Sequence, residues 1–92
     1  MRSLHWSAAA VADIARLHDF LAAVNPAAAA RAVQAIVAAP ERLMPHPRLG
    51  EQLDEFLPRE VRRILVGPYE LRYELRGDAI HVLRLWHARE ER

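Results

Sequence analysis

Residues 61–87 read VRRILVGPYELRYELRGDAIHVLRLWH, and this stretch decides the fold. Its side chains alternate between apolar and polar with a period of two, which is typical of β-strands. Gly67-Pro68 and Gly77-Asp78 interrupt the alternation, and Gly-Asp is a known signal for a two-residue hairpin turn. The pattern therefore predicts a meander of three antiparallel strands: Val61–Val66, Tyr69–Arg76 and Ala79–His87.

A short strand and two helices are predicted before the meander. Leu4-His5-Trp6 alternates like a strand, and Ser7 can cap the helix that follows. Asn25-Pro26 then caps a second helix, with proline at the first helical position, where its missing N–H costs nothing. Apolar residues recur every three or four positions in both helices, so each has one apolar face. The predicted faces are Ala10, Ile14, Leu17, Leu21 and Val24 in the first helix, and Ala29, Val33, Ile36 or Val37, and Leu43 in the second.

Between the second helix and the meander the sequence loses its periodicity. Pro40 is expected to kink or end the helix, because its ring clashes with the carbonyl group four residues before it. Two prolines and a glycine follow within residues 44–50, and residues 51–60 show no clean period. This part of the chain is predicted to be a long irregular connection, and such loops are often functional.

Together these elements predict an α+β fold in one domain, residues 1–92. A mainly antiparallel sheet is covered on one face by the helical hairpin. The last strand is apolar on both sides, which favours a place inside the sheet with the N-terminal strand beyond it. If both turns have two residues, one face carries Tyr69, Leu71, Tyr73, Leu75, Ile64, Ile80, Val82 and Trp86 toward the helices. The other carries Arg63, Glu70, Arg72, Glu74, His81, Leu83, Leu85 and His87.

The composition narrows the functional classes. The chain has no cysteine, which excludes disulfides and thiolate chemistry. All 13 basic residues other than histidine are arginines, but the formal net charge of +1 gives no general preference for polyanions. The five histidines lack the spacing of a zinc motif, so neither a metal site nor a cofactor is predicted. With no signal peptide and no apolar run of about 18 residues, we expect a cytoplasmic protein without membrane contacts.

The predicted strand phase places several charged groups on the face away from the helices. Arg63 and Arg72 would lie opposite each other, where like charges destabilise a sheet unless Glu70, Glu74 or another anion lies between them. His87 would share this face, and Arg89 follows it. Such a group suits an acidic peptide or a nucleic-acid backbone, although a solvated lattice of weak salt bridges fits the pattern as well.

Phe20 lies about 80° from the centre of its helix's apolar face, at ~100° per residue. It is therefore left for the second helix or for a partner to cover.

The order of elements and several short motifs resemble the RelE/ParE superfamily of bacterial toxins from type II toxin–antitoxin systems. The resemblance covers essentially the whole chain and rests on the order and spacing of the motifs together. The motifs are Ala12-Asp13-Ile14, Asn25-Pro26-Ala27-Ala28, Arg42-Leu43, Pro47-Arg48-Leu49-Gly50, Arg59-Glu60, Tyr69-x-x-x-Tyr73 and Leu83-Arg84-Leu85-Trp86-His87-x-Arg89-Glu90.

The resemblance implies a growth-inhibiting toxin that is neutralised by a cognate antitoxin, through which alone it would contact operator DNA. RelE-like members cut messenger RNA on the ribosome, whereas ParE-like members block DNA gyrase without a known catalytic step. The cutting members carry an arginine straight after the first tyrosine of the strand that corresponds to Tyr69–Arg76. They commonly also carry a tyrosine near the C-terminus. Here Glu70 follows Tyr69, and no tyrosine follows His87. A carboxylate at that position would oppose the charge that develops on the phosphate, so the sequence favours the ParE-like branch.

Two alternatives remain beside gyrase poisoning. A RelE-like ribosome-dependent mRNA endoribonuclease would use Arg63, Arg72, His87 and Arg89 as catalytic residues. A degenerate relative would only bind its antitoxin. For the antitoxin, we expect acidic contacts to Arg63, Arg72 and Arg89. Apolar contacts are expected near Phe20 or along the exposed edge of strand 61–66, where unpaired backbone groups invite an added strand.

Overall fold

The computed structural model describes residues 2–90, in which two helices pack against one five-stranded sheet. The strand order is β1-β5-β4-β3-β2, with β1 parallel to β5 and the other neighbours antiparallel. This confirms the predicted α+β fold and places β5 inside the sheet. The elements are β1 (Ser3–Trp6), α1 (Ala8–Ala22), α2 (Pro26–Ala38), β2 (Glu51–Gln52), β3 (Glu60–Val66), β4 (Tyr69–Arg76) and β5 (Ala79–His87), with 3₁₀ turns at Ala39–Leu43 and Asp54–Phe56.

Both helices begin as the sequence predicts, and α2 also ends as predicted. The Ser7 hydroxyl accepts the Ala10 N–H at 2.9 Å, and the Asn25 side chain accepts the Ala28 N–H at 3.1 Å. Pro40 ends α2 at Ala38, and the chain continues as a 3₁₀ turn. Neither helix within residues 2–90 is long and apolar enough to cross a membrane.

The core lies between the helical hairpin and one face of the sheet. Most of the predicted helix faces are confirmed, and Ile36 rather than Val37 is buried. Val24 was wrongly included, because α1 ends at Ala22 and leaves it 89% exposed. The buried residues of the core include Ala10, Leu17, Ala29, Ile36 and Leu43 from the helical half, and Leu71, Tyr73, Ile80, Val82 and Leu85 from the sheet.

The two-residue strand β2 was not predicted, and it covers part of the β3 edge. Glu51 pairs with Arg63, and the segment before it is anchored by the buried Tyr73. The Tyr73 hydroxyl accepts the Gly50 N–H at 3.0 Å and donates to the Pro47 carbonyl at 2.7 Å. A side chain at Gly50 would place its Cβ 2.6 Å from the Arg63 carbonyl oxygen, so only glycine fits this approach. The edge expected to be open along 61–66 is therefore open only beyond Arg63.

A β-bulge in β5 interrupts its pairing with β4. Arg72 pairs with Arg84, whereas the next residue, Tyr73, pairs with Val82. Leu83 is thus an extra residue without a counterpart in β4. Because side chains alternate along a strand, one extra residue moves every later side chain of β5 to the opposite face.

The predicted faces of the last residues of β5 are therefore wrong. Leu85, expected outward, is fully buried in a cluster with Leu17 of α1. Trp86, expected to face the helices, lies on the other side of the sheet, opposite Glu70. His87 pairs with Tyr69 on the helical side. Neither glycine nor proline marks the bulge in the sequence. An unbroken strand was therefore assumed, and every residue of β5 after Leu83 was assigned to the wrong face.

Candidate functional site

Strands β3 and β4, with the residue just before β3, assemble a cluster of charged groups on the face away from the helices. We call it the outer arginine cluster: Arg59, Arg63, Arg72 and Arg76, with Glu70 and Glu74. Arg63 and Arg72 lie opposite each other as predicted. Glu70 is buried and accepts from Arg63 Nη1 at 3.2 Å and from Arg72 Nη2 at 3.3 Å. The predicted anion between the two guanidinium groups is thus Glu70, which offsets their repulsion.

Arg72 is held between two aromatic rings. Its Cζ lies 4.8 Å from the centre of the Trp86 ring and 5.3 Å from that of Phe56. These are cation–π distances, and the side chain is only 22% exposed. The Arg72 Nε is buried and has no hydrogen-bond partner within the described part of the chain. Arg72 therefore belongs to the packed structure of this face and offers little of its charge to a partner.

Glu74 is the second buried carboxylate of the outer arginine cluster. Arg59 donates to it from Nη2 at 2.8 Å and from Nε at 3.0 Å, and Arg76 Nη2 donates at 2.8 Å. These hydrogen bonds, with Arg59 making the larger contribution, lower the pKa of Glu74 to about 2. Near neutral pH Glu74 is a carboxylate and cannot supply a proton.

His87 does not join the arginines. The ring of Tyr69 meets it edge-on, with centroids 5.3 Å apart. His87 Nδ1 accepts the backbone N–H of Arg89 at 3.0 Å, so a neutral ring carries its proton on Nε2. The predicted grouping of Arg63, Arg72 and His87 on one face is therefore wrong, and the bulge at Leu83 is the physical reason.

His87 instead belongs to a second region, which we call the C-terminal corner: Phe20, His87, Arg89 and Glu90. These four residues line a cavity of about 360 Å³ where α1 lies next to the end of β5. Phe20 is 67% exposed, so the second helix does not cover it. The corner brings together two predicted antitoxin contacts, Phe20 and Arg89.

A buried carboxylate of α1, Asp13, links α1 to β5 next to the C-terminal corner. Asp13 does not belong to the predicted apolar face of α1, yet it is only 2% exposed. Its Oδ2 accepts from Arg84 Nε at 2.7 Å and from the Leu85 N–H at 2.9 Å, and Arg16 also donates to the carboxylate. Burial raises the pKa of Asp13, but the hydrogen bonds from Arg84, Leu85 and Arg16 outweigh it and hold that pKa below its usual value. The only sign of this role in the sequence was the motif Ala12-Asp13-Ile14.

Glu90 closes the turn that follows β5. It accepts from Arg16 Nε at 2.9 Å and Nη2 at 3.2 Å, and from the His87 N–H at 2.7 Å. The hydrogen bonds from Arg16, the largest cause, hold the pKa of Glu90 below its usual value. The role of Glu90 was not predicted, because Arg16 and Glu90 are 74 positions apart in the chain.

Neither region gathers the ligands of a metal ion. In residues 2–90 no three or more His, Asp or Glu side chains form a group that could hold one. The outer arginine cluster can bind anions only where its half-exposed arginines, such as Arg59 and Arg76, reach solvent. The corner presents an aromatic ring, an imidazole and a guanidinium group at one cavity.

Comparison with known proteins identifies the family. The profile of the ParE toxin of type II toxin–antitoxin systems (parDE) matches residues 4–92. Toxin RelE2 of Caulobacter vibrioides is 30% identical over 88 residues, covering 96% of this chain and 97% of the relative, and Toxin RelE1 of the same organism is 36% identical over 84 residues, covering 87% and 86%. A solved structure, "Chromosomal ParDE TA system from P. aeruginosa", superimposes with a TM-score of 0.77 at 28% identity, covering 95% of this chain and 96% of that one. The chain thus belongs to the ParE toxin family of type II toxin–antitoxin systems, within the RelE/ParE superfamily.

Proposed function

We propose that this toxin inhibits growth by binding DNA gyrase, without a catalytic step of its own, and that a cognate antitoxin neutralises it. One observation carries the proposal: the bulge at Leu83 separates His87 from Arg63 and Arg72. In-line cleavage of RNA needs a base for the 2′-hydroxyl beside cations for the developing phosphate charge. In the outer arginine cluster the cations lie on a different face from the imidazole.

The charge balance of the cluster supports the same conclusion. Glu70 occupies the position where cutting members carry an arginine, and it holds Arg63 and Arg72 by ion pairs. A phosphate at this place would compete with a carboxylate already in position. Glu74, with its lowered pKa, offers no proton to a leaving group.

Ribosome-dependent mRNA cleavage is the second candidate, and one observation favours it. The His87 imidazole and the Arg89 guanidinium both belong to the C-terminal corner, so a titratable ring and a cation line the same cavity there. In that case His87 and Arg89 would be the catalytic residues, and Arg63 and Arg72 would only support the sheet. Assays with purified gyrase and with purified ribosomes separate the two candidates.

Beyond the short edge strands β1 and β2, their neighbours β5 and β3 each have a stretch of sheet edge that an antitoxin segment could meet. Beyond Trp6 of β1, the edge of β5 is closed by side chains: Ser7 Oγ donates to the Leu83 carbonyl, and Asp13 and Arg16 satisfy the N–H and carbonyl of Leu85. An added strand has no free partner there. The edge of β5 is therefore an unsuitable place for strand addition.

The edge of β3 differs in its last three residues. Backbone groups alternate along a strand, and the carbonyl of Val61 points toward the β2 side, where Leu53 donates to it. Leu65 therefore also directs its N–H and carbonyl to this edge, beyond the two residues that β2 pairs with in the described chain. Its side chain is 68% exposed. An extended antitoxin segment adding here would pair with Leu65 and lie next to Arg63.

Expression of the chain alone, followed by assays with purified components, tests the proposal. We expect growth arrest with an early DNA-damage response, and inhibition of supercoiling by purified gyrase. Purified ribosomes should leave their mRNA uncut. If mRNA is cut at the ribosomal A site, and the paired change His87→Gln with Arg89→Met abolishes the cut while gyrase stays active, the second candidate replaces the first. Absence of any growth defect would favour a degenerate, antitoxin-binding relative.

A further inference from the structure

We infer that the C-terminal corner is the anchor site for an antitoxin segment in which an apolar side chain lies one or two positions from an aspartate or glutamate. The inference rests on the proposed neutralisation by an antitoxin and specifies the chemistry of the segment that binds. It follows from what Phe20, His87, Arg89 and Glu90 present to the cavity.

The apolar half of the anchor is Phe20. The ring is 67% exposed and lines a cavity of about 360 Å³, which lies within the size range of ordinary ligand pockets. An exposed aromatic ring beside a concave surface gains most when an apolar side chain covers it. One large apolar side chain of a partner would remove both Phe20 and the cavity wall from water.

The polar half consists of two donors. His87 presents the Nε2 proton of its neutral form, because Nδ1 is engaged by the Arg89 N–H. The guanidinium of Arg89 makes no ion pair within residues 2–90 and is exposed. A carboxylate that meets both donors would form two charge-assisted hydrogen bonds.

Counting charges around the corner gives the sign of the partner. Asp13 is paired with Arg84 and Arg16, and Glu90 is paired with Arg16. Among residues 2–90, three guanidinium groups therefore face two carboxylates, and no described carboxylate forms an ion pair with Arg89. One added carboxylate completes the balance.

Hydrogen bonds hold the turn that carries the corner, which favours binding. Glu90 accepts the His87 N–H and donates its own N–H to the His87 carbonyl at 2.9 Å. Arg16 ties this turn to α1 through the same carboxylate. The backbone that carries both donors is thus already in position before a partner arrives, so less conformational entropy is lost on binding.

A peptide fits the corner better than a nucleic acid does. Nucleic-acid binding depends on several uncompensated cations that follow the phosphate backbone. Within residues 2–90 the corner has one such cation, and the carboxylate of Glu90 forms part of its wall. An apolar side chain with a single neighbouring carboxylate satisfies the ring, the donors and the charge together.

Affinity measurements with the antitoxin encoded beside the gene test this inference. The wild-type chain is compared with Phe20→Ala, Arg89→Gln and the double variant. Matched controls are Val24→Ala and Arg31→Gln, which change an exposed apolar residue and an exposed arginine of the same helical hairpin. Unchanged thermal midpoints check folding. We expect each corner change to weaken binding about tenfold and the double change about a hundredfold, with the controls within about twofold.

The outcomes separate the inference from the proposed function. Tight antitoxin binding by the wild-type chain and by all three corner variants overturns the anchor site but leaves neutralisation intact. A wild-type chain that does not bind the antitoxin refutes neutralisation, and the anchor site with it. If the corner changes weaken binding of a fluorescent RNA 12-mer and leave antitoxin affinity unchanged, the site belongs to nucleic acid and the inference fails.

Discussion

The outer arginine cluster and the C-terminal corner contain similar side chains in different states. In the cluster, Arg72 is packed between Phe56 and Trp86 and its charge is met by a buried carboxylate. In the corner, Phe20 and Arg89 are exposed at a cavity. The contrast teaches that residue type shows where charge can gather, while burial and pairing decide whether that charge is available to a partner.

The largest effect should come from the bulge that separates the two regions. Replacing Leu85 by alanine should destabilise the protein by about 3 kcal/mol, because its side chain is fully buried between sheet and helices. Leu83→Ala is the matched control, and its half-buried position predicts a loss of roughly 1 kcal/mol or less. Urea unfolding measures both. Equal losses, or a larger one at Leu83, would mean that β5 runs without the bulge.

Substitution of Asp13 tests whether its carboxylate closes the edge of β5 next to the C-terminal corner. Asp13→Ala should cost about 2 to 3 kcal/mol, since it leaves the Leu85 N–H without its acceptor and removes the partner of Arg84. Asp13→Asn, which keeps an acceptor, should cost less. Asp19→Ala on the same helix removes a carboxylate that is 85% exposed and should change stability by less than about 0.5 kcal/mol. A harmless Asp13→Ala, measured by urea unfolding, would contradict the closed edge.

The contrast between the regions is tested directly by one arginine from each. Arg72→Met should destabilise the fold by about 1 to 2 kcal/mol, because Glu70 loses a partner and two rings lose a cation. Arg89→Met should leave the free energy of unfolding within about 0.5 kcal/mol of wild type. Chemical denaturation of the free chain gives both values. If Arg89 proved the costlier change, the two regions would have been assigned the wrong way round.

Lowering the pH is expected to have an effect no larger than that of Arg72→Met. Arg59 and Arg76 lower the pKa of Glu74 from 4.5 to about 2, so its contribution to stability is fully present above pH 5 and is lost as the pH falls toward 2. Because both arginines are half-exposed, we expect about 1 to 2 kcal/mol from this group. Glu74→Gln should therefore flatten the dependence of the urea midpoint on pH in that range. Glu41→Gln, an exposed control, should keep the wild-type slope.

Local signals predicted the helical half well. Ser7, Asn25-Pro26 and Pro40 act on the backbone within one turn, so their effects do not depend on distant parts of the chain. The hairpin glycines Gly67 and Gly77 adopt the positive φ angles that such turns require. The strand β2 was missed because two residues carry no periodicity, and its position depends on Tyr73, which lies 23 positions from Gly50.

The candidate site was predicted only in part. Arg63 and Arg72 pair across β3 and β4, because the hairpin at Gly67-Pro68 sets their register. His87 was placed on the wrong face, because its phase depends on every residue between the second turn and the end of β5. The ion pairs of Asp13 and Glu90 could not be predicted from the sequence, since their partners are separated by most of the chain.

The sequence by itself determined the helical hairpin, the three strands of the meander, the Arg63 and Arg72 pair, and the resemblance that led to the family. Each depends on neighbours within a turn or across a short hairpin, where local geometry dominates. Only the tertiary structure decided that Leu83 bulges and that His87 joins Phe20 instead of the arginines. The physical reason is that α1, and not another strand, lies along the edge of β5 opposite β4 near the end of the strand. Side chains of α1 bond the backbone groups of that edge, and Leu85 packs into the core beneath it.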